Sequence, residues 1–251
     1  MEKLFAFSSC SANDGPHQYL WLVGASLFIP QMNRLLKHTN HDFIITRITD
    51  FATDNNFTIL GDIFAKNHSD KSTNHNYHIF YSYIFDKLGK NSELNILEIG
   101  LGTNNPKLIS TMGKNGIPGA SLYSFREYLP NSNIYGADID KDILFESDRI
   151  KTCFVDQLDT KTYDEISKNF GNIKYDLIID DGLHSIGANF NTLLFALDNL
   201  NTNGWLVIED IGFGFIENWK SIDFVLSTNQ NYERHIIKST SAYLYVIRKI
   251  G

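Results

Sequence analysis

"LEIGLGTNN" (97–105) is the stretch on which the fold turns. An apolar run stops at Gly100 and Gly102, and polar residues follow. That pattern reads as a strand running into a tight turn, where glycine lets the backbone bend and approach a ligand. Two features separate it from a dinucleotide site. Asn105 stands where the third glycine of that pattern would fall, and Glu98 lies in the strand two residues before Gly100. A carboxylate there repels a pyrophosphate but suits a ligand carrying an ammonium or sulfonium.

Outward from this turn, apolar runs alternate with helix-like segments. "NYHIFYSYIFDKLGK" (76–90) before it has helical spacing, closed by Gly89. After it, "SNIYGADID" (132–140), "IKTCFVDQ" (150–157), "YDLIID" (175–180) and "GWLVIED" (204–210) read as strands. "SIGANFNTLLFALDNL" (185–200) reads as a helix packed on them, and "RHIIKS" with "AYLYVIRK" as a terminal hairpin. The expectation is an α/β fold: a mainly parallel sheet with a C-terminal antiparallel hairpin and helices on both faces. Ligands bind such sheets at the carboxyl ends of the strands.

The unusual residues fall at those ends. Asp138 closes the second strand, where an acid can accept from ribose hydroxyls, and Asp156 with Gln157 closes the third, where an adenine edge would lie. "IIDDGLHS" (178–185) closes the fourth with Asp180, Asp181 and His184, and Glu209–Asp210 closes the fifth. Adjacent carboxylates at a strand end are costly unless water, a cation or a donor takes up their charge. Three such carboxylates suit a hard cation such as Mg²⁺, and a histidine beside them can take a proton near neutrality. Alternatively, Asp180–Asp181 caps the following helix and His184 is a first-turn residue.

Composition sets the bounds. The chain has 251 residues and a formal net charge of −7, which disfavours a nonspecific nucleic-acid or anionic-membrane binder. Cys10 and Cys153 have neither metal-ligand nor disulfide-scaffold spacing. "YLWLVGASLFIP" (19–30) is too short to span a bilayer, and "MEKLFAFSSC" lacks a signal-peptide core, so a cytoplasmic protein is expected. Residues 1–65 mix short apolar runs with polar loops and read as a cap, dimerisation or substrate-binding region ahead of a main domain at 66–251.

The acid-x-Gly-x-Gly turn with acids on the following strands resembles class I S-adenosylmethionine-dependent methyltransferases. Asp138 stands 36 positions beyond Gly102, and the extra length holds "NGIPGASLYSFREYLPNS" (115–132). That insertion, with "SDKSTNHNYHIFYSYIF" (69–85), "IIDDGLHS" and "VIEDI", is similar to the macrocin and mycinamicin sugar O-methyltransferases. The resemblance covers roughly residues 70–250. It implies a Rossmann-like seven-strand sheet that binds S-adenosylmethionine. Glu98, Gly100 and Gly102 would lie near its methionine part, Asp138 at the ribose, and Asp156 and Gln157 at the adenine. It also implies Mg²⁺ (or Mn²⁺) on Asp181, Glu209 and Asp210, His184 as base, and Asp180 near the methionine end. Lys71 and Tyr81 are further candidates for gripping the cofactor. A homo-oligomer is expected.

The expected reaction is methyl transfer to a sugar hydroxyl, preferably of a nucleotide-linked or capsule-type polysaccharide sugar. A catechol-like or antibiotic-sugar O-methyltransferase, or a catalytically silent cofactor-binding partner, are the alternatives. No Asn/Asp-Pro-Pro-aromatic motif marks a nucleic-acid methyltransferase.

Overall fold

Strand β2 (Asn95–Ile99) is buried from its second residue onward, as a central parallel strand covered on both faces must be. It pairs in parallel with β3 (Asn133–Asp138) on one side and β6 (Tyr175–Asp180) on the other. The computed structural model describes residue 28 and residues 30–39, 41–53 and 55–251. Cys10 and all of the 19–30 run except residues 28 and 30 lie outside the described residues.

Among the described residues nine strands form one sheet, in the order β1-β8-β9-β7-β6-β2-β3-β5-β4. The others are β1 (Ile45–Arg47), β4 (Glu146–Ser147), β5 (Ile150–Phe154), β7 (Leu200–Ile211), β8 (Tyr232–Lys238) and β9 (Tyr243–Lys249). Strands β7, β9 and β8 pair antiparallel, so the expected hairpin is present. The other pairings among the long strands are parallel. Seven strands match the expected sheet. The short β4 and β1 extend its two edges, and β1 comes from the 1–65 region, paired in parallel with β8.

The period-two alternation sorts side chains onto two cores. Ile96, Leu177, Ile179 and Val207 face helices α1 (Asn56–Lys66), α3 (Tyr77–Leu88) and α4 (Ala120–Tyr128). Here Phe125 meets Phe64, Tyr81 and Phe85, largely edge to face, each ring burial worth about 1.5–3 kcal/mol. Leu97, Ile99, Ile178 and Leu206 face the other way, against α6 (Ile186–Asn199) and α7 (Ile216–Leu226). A short helix, α2 (Asp70–Thr73), precedes α3, and α5 (Asp164–Phe170) follows β5. No described helix is long and apolar enough to cross a membrane. Cys153 is buried and free, and burial pushes its thiol up to about 12, which leaves it unreactive.

Candidate active site

The site is built where parallel strands end and their backbones meet. Gly100 N donates to Ala137 O, and Asp181 N donates to Ile99 O, both at 2.8 Å. The turns after β2 and β6 therefore lie side by side. Gly100 (φ +97°) and Gly102 (φ +74°) occupy the left-handed region. A Cβ on Gly100 would run into the Asp181 carbonyl. Glycine is required here for space as much as for conformation.

Asp138 organises the turn. Its Oδ2 accepts from Leu101 N at 2.7 Å and its Oδ1 from Asp140 N at 2.8 Å, while burial pushes its carboxyl upward. A cavity of about 670 Å³ opens above, across the ends of β5, β3, β2, β6 and β7. Asp156, Asp138, Gly100, Gly102, Asp181 and Asp210 line it in that region, together with Gln157, His184 and Lys71. Glu98, Tyr81, Asp180 and Glu209 are buried and are not part of that lining.

Gln157 and Asp180 form one buried unit. Gln157 Nε2 donates to Asp180 Oδ1 at 2.9 Å and to Thr192 Oγ1 at 3.0 Å, and Gln157 Oε1 accepts from Leu183 N at 2.8 Å. Both ends of that amide are thus spent on holding the loop after β6. Burial raises the Asp180 pKa against several hydrogen bonds that lower it. The helix-cap alternative fails: Ser185 caps α6, its side chain accepting from Ala188 N.

Beyond Asp180 three groups converge. Ligand atoms of Asp181, His184 and Asp210 all lie within 4.8 Å of one another. His184 Nε2 is 3.8 Å from Asp181 Oδ1 and 3.9 Å from Asp210 Oδ2. His184 (φ +54°) and Asp210 (φ +55°) both have left-handed backbones, conformations that cost non-glycine residues about 1–3 kcal/mol each. Asp210 sits in an irregularity of the β7–β9 pairing between Ile208 and Ile211, a device that re-aims a side chain at a strand end.

A second set of contacts lies behind that trio. Lys71 is almost fully buried, and its Nζ reaches Glu209 Oε2 at 2.5 Å, Asp181 Oδ2 at 2.7 Å and Glu98 Oε1 at 3.1 Å. Burial opposes its charge, but Asp181, Glu209 and Glu98 together hold its pKa well above the ordinary lysine range. Burial pushes both Glu98 and Glu209 upward, against the pull of Lys71. The Tyr81 hydroxyl donates to Glu209 Oε1, and Ser121 Oγ donates to Glu98 Oε2 at 2.5 Å.

Of the residues singled out in the sequence, the structure places Asp181, His184 and Asp210 in one cluster beside the glycine turn. Glu209, expected beside them on the metal, is buried next to Asp210 in sequence and meets Lys71 and Tyr81. Lys71 and Tyr81, expected to grip the cofactor, meet carboxylates. Sequence reasoning missed Tyr77, whose hydroxyl donates to Asp210 Oδ1 at 2.5 Å, and His75, with Nδ1 3.3 Å from the same oxygen. The Tyr77/Tyr81 spacing carried the signal: four apart on α3, they share a face and reach the successive acids Asp210 and Glu209. Thr103 and residues 107–112, part of the long connection after β2, also line the cavity.

Hard oxygen donors beside one imidazole fit a divalent cation such as Mg²⁺ or Mn²⁺. No protein-family model matches the chain. It is 33% identical over 133 residues to the mycinamicin VI 2''-O-methyltransferase of Micromonospora griseorubida, covering 50% of this chain and 30% of that protein. It is 32% identical over 157 residues to a Streptomyces olivaceus 3'-O-methyltransferase of a methoxyrhamnosyl-tetracenomycin C, covering 61% and 36%. The chain thus spans about a third of the length of these curated relatives. Among solved structures, the MycE methyltransferase of the mycinamycin pathway, in complex with Mg and S-adenosylhomocysteine, superposes with a TM-score of 0.61. That match is 23% identical and covers 76% of this chain and 54% of MycE. The chain has the class I methyltransferase fold and is similar in sequence to sugar O-methyltransferases.

Proposed function

We propose that this chain transfers a methyl group from S-adenosylmethionine to a sugar hydroxyl, assisted by a divalent metal. The observation that carries the reading is the convergence of Asp181, His184 and Asp210 on the wall of the cavity that the glycine turn opens. The relatives' names support it: they are O-methyltransferases, two of them on rhamnosyl tetracenomycin C compounds.

In this reading Gly100 and Gly102 admit the methionine part of the cofactor, with the carboxylate of Glu98 close behind the turn. Asp138 faces the ribose, and Asp156 and Gln157 border the adenine, Gln157 through its backbone and shape because its amide is already engaged. Asp180 fixes the loop that presents Asp181. Asp181 and Asp210, with Glu209 behind them, would hold the metal. When bound, the metal lowers the cost of developing alkoxide character on a sugar hydroxyl and orients a neighbouring one.

An alcohol ionises far above neutrality, so the nucleophile needs a base within reach. His184, its Nε2 turned toward both acids, takes the hydroxyl proton as the oxygen–methyl bond forms and the methyl–sulfur bond breaks. S-adenosylhomocysteine leaves as the neutral thioether.

For the acceptor, the relatives' names favour the sugar of a glycoside over the nucleotide-linked or capsule sugar expected from sequence. The test is a titration with S-adenosylhomocysteine, then a screen of rhamnosides and nucleotide-linked deoxyhexoses for methylated product by mass spectrometry. Cofactor binding and a singly methylated sugar are expected. Absence of cofactor binding would overturn the reading, and methylation of nucleotide-linked sugars alone would overturn the acceptor preference.

A further inference from the structure

Two phenylalanines stand exposed just past the acid cluster. They open and close the 3₁₀ turn Phe213–Phe215, which follows Asp210 and the end of β7. Phe213 is 49% exposed and Phe215 64%. A single exposed apolar side chain needs no explanation, whereas neighbouring exposed rings beside a polar site are the signature of a ligand surface. The turn is closed by Phe215 N donating to Gly212 O at 2.8 Å. Gly212 lets the Phe215 ring lie close, since a Cβ there would stand 3.3 Å from it.

Phe213 is braced by the terminal hairpin. Its ring meets Tyr243 edge to face with centroids 5.3 Å apart, and Lys238 Nζ lies 5.8 Å from its centroid. Tyr243 pairs with Ile211 of β7 and with Lys238 of β8. The turn between β8 and β9 reaches the acid cluster in turn: His75 Nδ1 is 2.7 Å from Ser241 Oγ and 3.3 Å from Asp210 Oδ1. The rings and Asp210 thus belong to one braced unit where β7 and β9 meet. The glycine turn lies on the other side of β6, at the end of β2.

We propose that Phe213 and Phe215 form an aglycone subsite, and that the acceptor is a glycoside whose aglycone presents an aromatic or flat apolar face. The inference rests on the sugar methyltransferase reading above and narrows its acceptor class. With the cofactor over the ends of β2, β3 and β5, a sugar hydroxyl held at Asp181, His184 and Asp210 leaves the rest of its molecule to extend over β7 and β9. The two rings stand there. They offer an aglycone ring offset-stacked or edge-on contact and apolar area to bury, which a methyl glycoside cannot use. A diphosphate would call for charge-assisted bonds from cations, whereas Lys238 Nζ is set against the Phe213 ring.

The test is an NMR titration of the full chain, with S-adenosylhomocysteine and Mg²⁺ in the buffer, against three probes. These are p-nitrophenyl α-L-rhamnoside, methyl α-L-rhamnoside and a nucleoside-diphosphate rhamnose. The aryl glycoside is expected to bind about tenfold tighter than the methyl glycoside, and Phe213→Ala with Phe215→Ala to bring the two within about threefold. Phe215→Ala alone, at the more exposed ring, should remove part of the preference and serves if the double variant unfolds. Lys238→Gln should keep the preference. Equal affinity of the parent for the two glycosides, or a preference that survives loss of the rings, would overturn the subsite. Tightest binding of the nucleoside-diphosphate sugar, lost in Lys238→Gln, would give this surface to a diphosphate and overturn it too. The expected affinities without any methylated product would uphold the subsite and sink only the proposed activity. Methylation of both glycosides with equal kcat/KM would do the reverse.

Discussion

The Asp181 carbonyl occupies the space into which a Cβ on Gly100 would project. The cofactor-side turn and the acid loop are thereby locked backbone against backbone, with Asp181 N donating to Ile99 O at 2.8 Å. A change on one side of this seam moves the other.

Gly100→Ala tests the seam. The new methyl group meets backbone, and φ at +97° is unfavourable for alanine. A loss of about 1–3 kcal/mol is expected in urea denaturation, together with loss of S-adenosylhomocysteine binding. Parent-like stability and binding in this variant would mean that the two turns are not locked together.

Gln157→Leu removes the amide that serves both Asp180 and the Leu183 N–H. Each buried polar group left without its partner costs about 1–3 kcal/mol. Cofactor affinity should fall together with stability, because the loop carrying Asp181 loses its anchor. A stability change below about 0.5 kcal/mol would show that Thr192 and the backbone suffice to hold Asp180.

Two substitutions separate metal from base. Asp210→Asn should abolish metal-dependent turnover and leave cofactor titration curves nearly unchanged. His184→Ala should cost about 10²–10⁴ in rate with Mn²⁺ binding far less affected. A rate loss under about tenfold would remove His184 from the chemistry.

His235 supplies a pH dependence of stability. Burial beside Trp205 and Phe51 depresses its pKa below the ordinary 6.5, with Glu233 and Asp223 pulling upward and Arg234 and Arg248 downward. The unfolded chain therefore protonates first as pH falls. This contribution is present above the unfolded value of 6.5 and is lost as pH drops through the folded one. His235→Phe keeps an aromatic ring against Trp205 and removes the titration. Its urea midpoint should fall less than the parent's between about pH 7.5 and 5.5. Equal falls would assign the dependence to other groups.

Much of this fold can be read from local pattern. β6 spans Tyr175–Asp180 as its apolar run predicts, and α6, β8 and β9 fall within two residues of their expected bounds. These elements carry strict periodicity and clear turn residues. Other elements carried less. α4 lies inside the insertion "GASLYSFREYLP", where small, aromatic and charged residues mix, and its helical start is set by Gly119 at φ +74°. β1 is three residues long, and its pairing with β8 is a long-range event that no local window contains.

The site divides in the same way. Asp181 and His184, three apart in one loop, were legible as a pair because local spacing brings them together. Glu209 and Asp210 read as equivalent neighbours, yet the positive φ of Asp210 and the irregular β7–β9 pairing coincide with different environments for them. Lys71 meets acids 27, 110 and 138 positions away, contacts that only the assembled sheet creates.

The most direct measurement is release of S-adenosylhomocysteine from enzyme stripped with EDTA, then restored with Mg²⁺ or Mn²⁺, with a rhamnosylated acceptor present. Turnover that vanishes on stripping and returns with metal is the expected result. Turnover indifferent to EDTA would contradict the account, leaving a methyltransferase in which Asp181 and Asp210 serve some purpose other than holding a cation.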